Sequence, residues 1–148
     1  MRLHLIVALV LAAAAPTAAH ADPGPAAAPA RPEPSGPLRA YKGPEGELIV
    51  MVEISDGKEM LVHFRNLGKE LDGKTVRYLY EDLGRGTKNV YINKKRGSKT
   101  YRSYLLTAHD GDWNFHHPTN FKIEFAIWYS EDDSRKFKIA DVLDGYKP

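Results

Sequence analysis

The chain has no cysteine among its 148 residues. Disulfide bonds, thiolate metal ligands and a cysteine nucleophile are therefore excluded, and so is a lipid anchor built on a cysteine at a cleavage site. Without disulfides a domain must stand on its hydrophobic core alone, which about 110 residues can supply. Proline is absent from Glu45 to His117, although it is dense before that interval. No stretch of ten or more residues carries a helical apolar stripe. There is no Gly-x-Ser-x-Gly elbow, and Leu83-Gly84-Arg85-Gly86-Thr87 lacks the phosphate-cradling Walker pattern. No internal repeat is visible. These absences point away from nucleophilic and nucleotide-dependent catalysis and towards a non-catalytic role.

What is present begins with an export signal. Arg2 gives a short positive region, and Leu3 to Ala15 is apolar apart from His4. That run is shorter than the roughly 20 residues of a membrane helix. Pro16 follows, and Ala19-His20-Ala21 has the small-x-small spacing that signal peptidase reads. Residues 1–21 are therefore expected to be a cleaved signal peptide, and the protein to be periplasmic or secreted with no transmembrane segment in the mature chain. Residues 22–38 hold six prolines among alanines. So little apolar surface predicts a disordered linker with polyproline character.

Residues 39–148 read as one all-β domain. Apolar side chains recur every second residue: Leu48, Val50, Val52 and Ile54; Met60, Val62 and Phe64; Val76, Tyr78 and Tyr80; Val90 and Ile92; Phe121 through Tyr129; Phe137 and Ile139. Such alternation suits half-buried strands. With the strand around 100–108, about seven strands are expected in a single antiparallel β-sandwich, immunoglobulin-like, or else a small barrel. A three-residue turn at Ser55-Asp56-Gly57 would pair Val52 with Met60 and Val50 with Val62, gathering one apolar face. A similar turn at Asp132-Asp133-Ser134 would pair Tyr129 with Phe137. From Thr100 to Ala108, Tyr101, Ser103 and Leu105 alternate with Arg102, Tyr104 and Leu106, and neither set is clearly the buried one.

Two stretches carry chemistry. From Leu83 to His109 there is no acidic residue, while Arg85, Lys88, Lys94, Lys95, Arg96, Lys99 and Arg102 are all cationic. Tyr91, Tyr101 and Tyr104 are interleaved with them. Cations attract anionic groups and aromatic faces pack on rings, so Lys94, Lys95, Arg96, Lys99, Arg102, Tyr91 and Tyr104 form a candidate site for an acidic polysaccharide or other anionic envelope polymer. Nucleic acid would feel the same field, but an exported domain rarely meets it. The second stretch is His109-Asp110-Gly111-Asp112-Trp113-Asn114-Phe115-His116-His117. Imidazole and carboxylate are zinc ligands, so His109, Asp110, Asp112, His116 and His117 are candidate metal ligands. A calcium loop is only mimicked, because the sixth and twelfth positions are Phe115 and Phe121 instead of glycine and glutamate. The reading is thus an exported, non-catalytic binding or structural module of the cell envelope, requiring no cofactor. The alternative is a zinc- or calcium-binding domain, or a metal-dependent enzyme, built on residues 109–117.

Overall fold

The computed structural model describes residues 30–148. The expected signal peptide and residues 22–29 of the expected linker lie outside the described residues. The domain is all-β and antiparallel, as the alternation requires, but it is a closed barrel instead of a sandwich. Eight strands follow one another in sequence order around it: β1 (Arg39–Lys42), β2 (Leu48–Ile54), β3 (Glu59–Arg65), β4 (Thr75–Gly84), β5 (Thr87–Arg96), β6 (Lys99–His109), β7 (Asp112–His116) and β8 (Glu124–Ser130). β8 closes on β1 through Tyr41 opposite Tyr129. Closure leaves no free edge around the body of the barrel, which an open sandwich would have had to protect.

The interior is filled. Tyr41, Met51, Met60, Phe64, Tyr78, Val90, Leu106, Trp113, Phe115 and Ile127 point inward from the eight strands and form one core cluster. Eight strands give a lumen about as wide as the side chains that fill it. Among the described residues, a small cavity of about 30 Å³ lies near one mouth, between Tyr41, Met51, Met60 and Trp113. That is room for a couple of waters and no more.

The chain after β8 departs from expectation. Residues 131–139 do not make a hairpin; they form α1 (Glu131–Lys136) and lead into α2 (Ile139–Asp144). Ser130 is the reason. Its hydroxyl accepts from the Asp133 backbone N–H at 3.3 Å, with Glu131, Asp132 and Asp133 in the first turn and Arg135 and Lys136 in the last. This is a helix N-cap with charges matched to the helix dipole. α2 then lies on the outside of β2 and β3, where Val142 packs with Ala40, Val50, Val52, Ile54 and Leu61.

That second core overturns the expected register of β2 and β3. Val52 lies opposite Leu61, Val50 opposite His63 and Met51 opposite Val62, not Val52 opposite Met60. The expectation assumed one buried face. Here both faces are buried, one by the barrel interior and the other by α2, so apolar residues on either face satisfy the packing.

Two strands went unforeseen. β1 is only four residues long, and β7 runs through the stretch that carries the candidate metal ligands. The ambiguous strand, β6, resolves through a bulge. Val90 pairs with Leu106 but Tyr91 pairs with Tyr104, leaving Leu105 as an extra residue. Leu105 and Leu106 both enter the core, so the inward parity switches at the bulge and neither simple alternation fits the whole strand.

The segment before β1 is docked on the barrel. Ser35 N–H donates to Glu53 O at 2.8 Å, Pro34 bridges to Ile54 and Leu38 packs against the α2 cluster. Among the described residues, no helix is long and apolar enough to cross a membrane.

Candidate site at the overhanging β5–β6 arm

The β5–β6 hairpin outreaches its neighbours. β4 stops pairing with β5 at Leu79 opposite Tyr91, and β7 stops pairing with β6 at Leu106 opposite Phe115. The ladder between β5 and β6 continues alone from Ile92–Ser103 to Arg96–Lys99. At the usual rise this two-stranded arm runs on for about 14 Å. Its tip is a two-residue turn, Gly97-Ser98, between the two strands.

Cross-strand register decides which charges share a face, because residues directly opposite point to the same side. Lys94 lies opposite Tyr101 and Arg96 opposite Lys99. Period two then places Lys94, Arg96, Lys99 and Tyr101 on one face, and Lys95, Thr100, Asn93 and Arg102 on the other. Arg96 against Lys99 is a like-charge pair, which weakens a hairpin. Among the described residues, none of Lys94, Lys95, Arg96 and Lys99 meets a carboxylate. Lys94 reaches the Pro118 carbonyl at 3.4 Å instead, tying the arm to the β7–β8 loop.

The other cations of the acid-free stretch are spent elsewhere. Arg102 donates to Glu81 at 2.7 Å, and its guanidinium lies 4.6 Å from the centre of the Tyr91 ring. Tyr91 is buried, with the Tyr104 ring 5.8 Å away. Arg102 and Tyr91 therefore brace the root of the arm, and Tyr91 offers no open face. Lys88 is at the opposite end of the barrel, 3.3 Å from Asp82, and Arg85 forms part of the β4–β5 turn there. The cationic run thus reduces in space to four side chains at the arm tip.

A groove of about 440 Å³ lies beside the arm. It is lined by four consecutive residues of β6, Tyr101, Arg102, Ser103 and Tyr104, together with Thr107, His116 and Phe121. Four consecutive strand residues can line one groove only along the strand's edge, and this is the edge that β7 leaves unpaired. Phe121 forms the far wall and is 83% exposed. Nothing in the sequence marked Phe121 for this role, because it sits in an apolar alternation that continues into β8.

The loop that presents Phe121 is built by His117. Its buried ring places Nδ1 to accept from the backbone N–H of Asn120 at 3.1 Å and of Thr119 at 3.4 Å. The His117 N–H donates to Ile123 O at 3.0 Å, closing the loop. His116 bonds Thr107 Oγ1 through Nε2 at 2.9 Å and faces Glu124 at 3.6 Å.

The five candidate metal ligands are not brought together. His109, Asp110 and Asp112 surround the β6–β7 turn at one end of the barrel, and His116 and His117 lie at the other end of β7. Four steps of strand separate Asp112 from His116 by about 13 Å, far beyond a shared ion. Asp110 and Gly111 both have positive φ, 52° and 94°, as a two-residue type I′ hairpin demands. The Asp-Gly pair is thereby a turn, and no group of three or more metal-ligating side chains exists among the described residues.

No protein-family model matches the chain, and neither does any curated protein or solved structure.

Proposed function

We propose that the protein is an exported, non-catalytic binding module of the cell envelope that captures an anionic polymer, such as an acidic polysaccharide, on the tip of the β5–β6 arm. The observation that carries this reading is the pairing of Arg96 directly opposite Lys99, with Lys94 on the same face and no carboxylate among the described residues meeting any of them. A hairpin stabilised for its own sake would alternate charge across that pair. Four uncompensated cations on a projecting tip act over about 10 Å at moderate salt and need no deep pocket. The packed barrel supports the same reading, since side chains such as Phe64, Leu106 and Phe115 fill its interior and leave binding to the outer surface.

Export rests on the signal-like residues 1–21 and localises the partner to the periplasm or the outside of the cell. The test is titration of the mature protein with an acidic glycan, a teichoic-type polymer and anionic vesicles at low and high salt. The parent should bind with modest affinity that falls steeply with salt. The triple variant Lys94→Gln, Lys95→Gln, Arg96→Gln should lose most of the binding with little change in stability. Equal binding by parent and variant contradicts the proposal.

A further inference from the structure

We infer that the groove along the open edge of β6 selects an acidic polysaccharide of the polyuronate type, with a sugar ring packed against Phe121 at the β6 edge and its carboxylates reaching the arm cations. The inference rests on the capture of a polyanion by the arm and names which polyanion that site takes.

Three aromatic residues border one groove while remaining exposed, Tyr101 and Tyr104 from opposite faces of the β6 edge and Phe121 from the facing loop: Tyr101 at 47%, Tyr104 at 39% and Phe121 at 83%. Apolar surface kept in water contributes nothing to folding, and clustered exposure of this kind marks a contact. A polymer of phosphates has no apolar face to place there. A pyranose ring has one, its axial C–H side, together with hydroxyls at its rim. The groove matches both halves of that chemistry, with aromatic walls and the polar groups of Ser103 and Thr107 between them. Its volume of about 440 Å³ is in the usual range for small-molecule sites. Charge enters from the arm, because Tyr101 lies directly opposite Lys94 and Lys94 stands beside the loop that carries Phe121.

An extended acidic peptide is the competing occupant, since an unpaired strand edge can accept another strand. The edge is poorly suited to it. The Leu105 bulge on the β5 side breaks the regular alternation of β6 next to the groove, so an added strand would meet an uneven edge there. A second copy of the chain would bring two sets of arm cations against one another.

The mature protein would be titrated by calorimetry with polygalacturonate, inorganic polyphosphate, polyglutamate and neutral dextran at one low salt concentration. Polygalacturonate should bind at least tenfold more tightly than polyphosphate or polyglutamate, and dextran should not bind. Phe121→Ser should remove that preference, weakening polygalacturonate about tenfold and leaving polyphosphate unchanged. The exposed position of Phe121 should leave the melting temperature unaltered. Polyphosphate or polyglutamate binding as tightly as polygalacturonate overturns the inference, and so does a Phe121→Ser variant with unchanged polygalacturonate affinity. In both cases the arm's capture of polyanions still stands. Failure of every polyanion to bind contradicts that capture itself.

Discussion

The Nδ1 atom of His63 lies 2.9 Å from Thr75 Oγ1, deep between β3 and the C-terminal helix, while its Nε2 is buried without a partner among the described residues. Burial holds the ring's pKa below its ordinary value of 6.5; Arg65 adds to that effect, and Asp141 and Asp72 oppose it. Phe137 covers the remaining side at 6.1 Å. Because the folded-state pKa is depressed, the unfolded chain binds the extra proton first, and stability falls as pH drops from 6.5. Glu59 is also depressed, by its hydrogen bonds from Arg77 and then Ser55, but it acts only below 4.5. Thermal melts between pH 8 and about 5 should therefore show a loss that His63→Gln removes, and a pH-independent melt would refute the assignment.

Gly145 closes the same region from the other side. A Cβ there would come within 2.6 Å of Thr75 Oγ1 and 3.2 Å of His63 Nδ1. The backbone at Gly145 is ordinary, with φ −75°, so the obstacle is contact and not strain. Gly145→Ala should cost about 1–3 kcal/mol, as overpacking does. Chemical denaturation measures it directly, and an unchanged midpoint would show that the C-terminus is not seated on His63 and Thr75.

Removing the segment before β1 should matter. The sequence suggests that a chain beginning at about Arg39 loses little stability, but Leu38 joins the α2 cluster and Ser35 and Pro34 pair with β2. A chain starting at residue 39 should be about 1–3 kcal/mol less stable than one starting at residue 30, chiefly through the apolar surface of Leu38. Identical denaturation curves would mean that the strap contributes nothing.

Zinc and calcium should leave the melting temperature unchanged, and a chelator should do the same. The basis is the separation of His109, Asp110 and Asp112 from His116 and His117 by the length of β7. A stabilisation that grows with metal concentration would reveal a bound ion.

Much of the barrel was legible because its strands alternate cleanly on at least one face, as in β4 and β8. What escaped has particular causes. β2 and β3 are covered on both sides, so the pattern could not choose their register. β6 carries the Leu105 bulge, which no period of two can reveal. The Ser130 cap and the acidic-to-basic order of residues 131–136 did signal a helix, but the apolar pair Phe137 and Ile139 imitated a strand. At the site, the cationic run was plain in the sequence. Its division into four tip cations and the braced Arg102 depends on Glu81, which is distant in sequence. Phe121 reaches the groove only through the loop that His117 folds.

The central claim is that a polyanion is captured at the arm. Amide chemical-shift mapping of the mature, isotope-labelled protein during titration with polygalacturonate at low salt tests it most directly. Shifts should concentrate on residues 92–104 and 118–122, follow one saturable curve and collapse when salt is raised. Shifts centred on the opposite mouth, around 85–88 and 109–112, or none anywhere, would contradict the account.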